Sequence, residues 1–180
     1  MLTRAYAVLL RAIGPATHGV MPMRTLCARC HEMGIGQVTS YLATGNLLVV
    51  TALDAAGLKE RVSAAVRSFG LRNDVFVRDR AALDALVANN PFPEATSTRA
   101  SQVIVCFGPD SGFEADWMAG FPGPERLVLS GHDLYVDYPD RTISKSKLPP
   151  GTIERRGRAL LTFRNWNTVT GIARRLGEVN

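Results

Sequence analysis

The chain has 180 residues, 46% hydrophobic and 21% charged, with a formal net charge of +5. This is enough for one domain with a core or two small packed halves, and the composition is ordinary for a soluble globular protein. No apolar run approaches the roughly 20 residues of a membrane helix, so no membrane partner is expected. The stretch AYAVLL near the start is shorter than the roughly 7–15 residue core of a signal peptide. Three cysteines, an odd number, suit a reducing compartment better than a disulfide framework. A cytoplasmic location is expected.

Arg4–Leu10 is a near-continuous apolar run, the pattern of a covered strand. A polar loop is expected over 11–21. Pro22 suits a helix start. Met23, Leu26, Cys27, Cys30 and Met33 recur at helical spacing, and Gly34 supplies the stop. Val38–Ala43 and Leu47–Thr51 read as strands around a turn at Thr44, Gly45 and Asn46. Asp54 is a candidate N-cap for a helix reaching Phe69 and ended by Gly70, with Leu58, Val62, Ala65 and Val66 on its buried stripe. Asp74–Asp79 alternates like a strand. The order β-α-β-β-α-β is that of the split βαβ, ferredoxin-like arrangement. In that topology the first and third strands are central, and here those two are the most apolar.

Arg80–Asn90 is expected to be a linking helix and Glu94–Ser101 a loop. Gln102–Phe107 opens a second series. It continues with a short helix over Phe113–Ala119 and hairpin strands at Arg126–Leu129 and Leu134–Tyr138. Ile143–Gly157 reads as loop or short helix, and Arg158–Phe163 as a strand. A last helix covers Asn165–Leu176, with Trp166, Val169, Ile172, Ala173 and Leu176 on one face. The expected class is α+β: two ferredoxin-like halves, 1–79 and 101–180, packed as one compact unit and joined by a helix and loop over 80–100.

Charge is distributed unevenly. Residues 141–180 carry nine Lys/Arg against two Glu, a net +7, while the first 140 residues carry twelve basic and fourteen acidic groups, a net −2. A solvated basic face explains this as well as attraction to phosphate does. Cys27-Ala28-Arg29-Cys30-His31 matches the c-type haem attachment pattern. Both sulfurs nevertheless fall on the apolar stripe of their helix, so they read as core residues and no haem is expected. His18, His31, His132 and Cys106 are too scattered for a zinc set. No P-loop, G-x-G-x-x-G or G-x-S-x-G motif is present, and no cofactor is expected.

The stretch Arg164-Asn165-Trp166-Asn167-Thr168 precedes the last helix. Trp166 fits the buried stripe, and Thr162 or Asn165 is a candidate cap. A cation at a helix N-terminus opposes the macrodipole unless an anion intervenes, and the free N–H groups there bind anions. The anion is either a ligand or an acid of the protein itself. The leading reading is a small domain that binds an anionic, phosphate-bearing small molecule or nucleic acid. Arg11, Arg164 and the helix start at Asn165, with Asn167 and Thr168, would form the pocket, and Lys145 and Lys147 would steer the ligand. The alternatives are an enzyme acting on a small anionic metabolite, with Tyr41, Asn46 or Asn167 in a cleft between the halves, and a protein-interaction module.

The segments AVLLRAIG with PMRTL, SYLATGNLLVV, YPD…SKSKL and FRNWNTV resemble domain-of-unknown-function family 1697, a group of small bacterial proteins. The resemblance implies an α+β fold of two ferredoxin-like halves and no established activity, cofactor or substrate. The family's R-G-I-N-x-G-G loop becomes Arg11-Ala12-Ile13-Gly14-Pro15-Ala16 here. Its S-G-N turn becomes Thr44-Gly45-Asn46, which keeps a hydroxyl.

Overall fold

The computed structural model describes residues 2–139 and 143–179, the side chain of Ser144 excepted. Asp140 of the YPD segment and Arg141 of the basic segment lie outside the described residues. Internal packing divides the chain into two units, Met1–Ala88 with Gly171–Asn180, and Asn89–Thr170.

The first unit contains β1 (Arg4–Leu10), α1 (Pro15–Val20), α2 (Met23–Glu32), β2 (Gln37–Ser40), β3 (Asn46–Thr51), α3 (Ala55–Arg67), β4 (Val75–Asp79) and α4 (Arg80–Ala88). Its strands form an antiparallel sheet in the order β2-β3-β1-β4. The two most apolar strands are therefore central. Side chains alternate across a strand, so Tyr6, Val8, Leu10, Leu47, Val49 and Val75 share one face. They pack with Leu26 and Cys30 of α2 and with Leu58, Val62, Ala65 and Val66 of α3. Each fully buried leucine or valine contributes roughly 1.5–3 kcal/mol. Ala7, Leu9, Leu48 and Phe76 occupy the opposite face and are also buried.

Local signals fix the helix ends. The Asp54 carboxylate accepts from the Gly57 N–H at 2.8 Å, which caps α3 and is worth about 1 kcal/mol. Gly34 and Gly70 follow α2 and α3 with φ of 69° and 76°, a conformation that glycine adopts without strain. Helix α1 replaces part of the expected loop. It buries no side chain, so no apolar stripe marks it in the sequence, and Pro15 starts it.

The second unit contains α5 (Pro93–Arg99), β5 (Val103–Phe107), β6 (Arg126–Ser130), β7 (Asp133–Asp137), α6 (Pro150–Gly157), β8 (Thr162–Asn165) and the start of α7 (Trp166–Glu178). From Gly171 onward, α7 belongs to the first unit. The second sheet is also antiparallel, in the order β6-β7-β5-β8. Ile104, Cys106, Leu134, Val136 and Tyr138 pack on one face with Leu148, Ile153 and Leu161. Helix α5 lies where a loop was expected; only Ala95 of it is buried. The strand expected from Arg158 begins at Thr162 instead, because Arg158 ends α6 in a left-handed conformation, φ 48°.

Asp137 is fully buried in this unit. Arg99 grips both carboxylate oxygens, and Arg126 Nε donates to Oδ2 at 2.8 Å. Arg126 also bonds Glu94 and lies over the Phe92 ring. Burial pushes the Asp137 carboxyl up, but the two arginines outweigh it and hold the group below its ordinary value.

Candidate functional site

One end of the first sheet gathers four of the sequence-predicted residues: Arg11, Tyr41, Thr44 and Asn46. The strand ladder continues past its ends there. Leu10 N–H donates to Gly45 O at 2.8 Å, Arg11 N–H to Asp74 O at 2.9 Å, and Tyr41 N–H to Asn46 O at 2.9 Å. Asn46 is fully buried. Its Nδ2 donates to Tyr41 O at 2.9 Å and to Thr44 Oγ1 at 3.1 Å, so the amide closes the turn from within. This is why the turn needs Asn rather than Asp: the Tyr41 carbonyl only accepts, so that contact requires a donor.

The loop after β1 presses against that turn. Gly45 has φ +80°, and a Cβ there would stand 2.5 Å from Ile13 Cγ1. Asn73 Nδ2 holds the loop by donating to Arg11 O at 2.8 Å. Two residues other than glycine take left-handed conformations here, Ala12 and Leu42, both at φ 58°. Each costs on the order of 1–2 kcal/mol. Leu42 is 52% exposed, so burial of its side chain does not repay that cost. Arg11 is half-buried, its Nη1 3.9 Å from Asp74 Oδ2, and both side chains retain solvent access, at 29% and 45%. By strand alternation Arg11, Tyr41 and Asn46 fall on the face opposite α2 and α3.

Tyr41 also meets α7. A Cβ on Gly171 would lie 2.2 Å from the Tyr41 hydroxyl and 2.9 Å from Cζ. Arg175, one helical turn later, places its guanidinium 4.9 Å from the ring centroid. Sequence reasoning missed Arg175. Its signal was a glycine and an arginine at i, i+4 on an amphipathic helix, which says nothing about the ring lying between them.

Arg164, Asn165, Asn167 and Thr168 lie at the β8–α7 junction of the second unit. Asn165 Oδ1 accepts from Thr168 N–H at 2.9 Å, which makes it the helix cap and satisfies one of the N–H groups expected to meet an anion. Arg164 is not in the helix turn. It is a β8 residue paired with Val105, and it is buried. Its Nη1 donates to Thr162 Oγ1 at 2.9 Å and to Phe163 O at 2.8 Å. Loss of solvent around the guanidinium lowers its pKa to about 10. Trp166 is buried and Asn167 exposed. Lys145 and Lys147 are exposed, on either side of Ser146, whose hydroxyl bonds Glu125.

The cysteine motif lies in α2. Cys27 is half-buried and Cys30 buried. Burial raises both thiols, Cys30 to about 12, so neither is a thiolate at neutral pH. Among the described residues, no group of three or more His, Cys, Asp or Glu could hold a metal ion. No described helix is long and apolar enough to cross a membrane. A groove lined by His31, Ile35, Val50 and Leu53 among others opens at the opposite end of the first sheet and contains none of the predicted residues.

The fold has a solved counterpart. The conserved bacterial protein SP0830 from Streptococcus pneumoniae superposes with a TM-score of 0.71 at 17% identity, over 97% of this chain and 99% of that one. At that identity the likeness establishes the fold alone. No curated protein matches the chain by sequence. The family model described as protein of unknown function, DUF1697, matches residues 3–135. That span includes the Arg11 loop and the Thr44-Gly45-Asn46 turn and ends before YPD…SKSKL and FRNWNTV. With most of its length matched, the chain belongs to the DUF1697 family.

Proposed function

We propose that the protein binds an anionic, phosphate-bearing ligand at the end of the first sheet, where the Arg11 loop meets the turn from Tyr41 to Asn46. One observation carries the reading. Two adjoining loops each hold a left-handed residue other than glycine, Ala12 and Leu42, beside a half-buried arginine. Strain of this kind accumulates where a loop shape is needed for something other than stability. Arg11 supplies the charge and the Thr44 hydroxyl a hydrogen bond, an arrangement suited to a phosphate. The net charge of +5 favours encounter with anions. The strand order β2-β3-β1-β4 and its repeat β6-β7-β5-β8 support reading each half as ferredoxin-like, and the free cysteines suit the reducing cytoplasm.

The test is calorimetric titration with pyrophosphate at low salt. Wild type is expected to bind, and Arg11→Ala to weaken binding about tenfold, the loss of one charge-assisted contact. Equal affinities, or no binding by wild type, would refute the reading.

A further inference from the structure

We propose that Arg175 is a second cation of this anion site, held in place by Tyr41 seated at Gly171. The inference rests on the binding reading above and adds a residue from the end of the chain. Gly171 and Arg175 are four residues apart on α7, so they lie one above the other on one helix face. Helical side chains lean toward the N-terminus, so Arg175 reaches back over the space that Gly171 leaves open. The Tyr41 ring occupies that space. Its hydroxyl is where a Cβ at position 171 would stand, 2.2 Å away, and its Cε1 is 3.0 Å from the same point. The guanidinium closes over the ring at 4.9 Å.

Stacking fixes the plane of the guanidinium and leaves its N–H edges available for donation. Tyr41 and Asn46 adjoin across the turn, and Asn46 pairs with Leu9 on the neighbouring strand. Tyr41 therefore stands two strand spacings, about 10 Å, from the end of β1. Two arginines approaching from either side of a turn can share a diphosphate, one phosphate each. Tyr41 is then a positioning residue: it aims the arginine and does not touch the ligand.

The experiment is the same pyrophosphate titration on Arg11→Ala, Arg175→Ala, Arg175→Lys and Gly171→Ala, with melting temperatures measured alongside. Arg175→Ala is expected to raise Kd about tenfold. Arg175→Lys should recover little of it, because an ammonium keeps the charge but not the stacked plane. Gly171→Ala should weaken binding by displacing the ring, and Tyr41→Phe in the same chain should restore part of the affinity by removing the closest atom. A melting temperature unchanged in Arg175→Ala separates ligand contact from a structural role. Wild-type affinity in Arg175→Ala, with Arg11→Ala impaired, overturns this inference and leaves the binding reading standing. No binding by wild type overturns both. Full recovery by Arg175→Lys overturns the positioning role of Tyr41.

Discussion

Asn46 and Asp133 occupy the same place in the two sheets. Each opens the third strand of its sheet, opposite Leu9 in one case and Phe107 in the other. Asn46 donates into its own turn. Asp133 accepts from the Gly108 N–H at 3.2 Å, reaching across to the neighbouring strand. At the far end of these strands the contrast widens. Asp137 of β7 is gripped by Arg99 and Arg126, while the matching residue of β3 is Val50, with no charge to satisfy. The second unit thus answers a buried acid with its own arginines. The first places Arg11 3.9 Å from a half-exposed Asp74, a weak surface pair. One strand order therefore carries two chemistries, and the strained, arginine-bearing end of the first sheet is the one proposed to bind a ligand.

The contrast can be broken most forcefully at Asp137. Asp137→Asn removes the charge that two arginines were built around, and is expected to cost about 3–5 kcal/mol in a denaturation experiment. The pH dependence follows in sign. The folded carboxyl titrates below its ordinary value, so its contribution is complete above the unfolded carboxylate range and is lost as pH falls through the folded value. The acid limb of the stability profile should be shallower in Asp137→Asn; an unchanged limb would mean that the arginines do not depend on this charge.

A smaller effect separates the two equivalent polar positions. Asn46→Asp keeps the shape but loses both donors and faces Tyr41 O with a carboxylate, which is expected to cost about 2 kcal/mol. Asp133→Asn still offers an oxygen to Gly108 and should cost less than about 1 kcal/mol. Comparable losses at both positions would erase the distinction between a donor and an acceptor role. The smallest effect is a gain. Ala12→Gly should stabilise the protein by about 0.5–1 kcal/mol by relieving the φ of 58°. A loss of stability would mean that the loop is not strained.

The sequence made the central strands legible, because Ala5–Leu10 of β1 and Leu47–Val50 of β3 are unbroken apolar runs, the mark of strands with a neighbour on each side. It also showed the Asp54 cap and the buried Trp166 stripe, both local patterns. Helices α1 and α5 were not legible, since neither buries enough apolar surface to set a period. Arg164 was expected at the helix turn because strand β8 runs directly into helix α7, Asn165 to Trp166, and composition alone does not tell which side of that boundary an arginine is on. Arg175 could not be found at all: its contact with Tyr41 joins residues at opposite ends of the chain, and only the folded first unit brings them together.

The most direct measurement is a map of amide chemical-shift changes as pyrophosphate is added to isotope-labelled protein. Binding at the end of the first sheet predicts saturable changes concentrated in residues 11–14, 41–46 and 171–175. Changes centred instead on 145–147 and 164–168, or none, would contradict it.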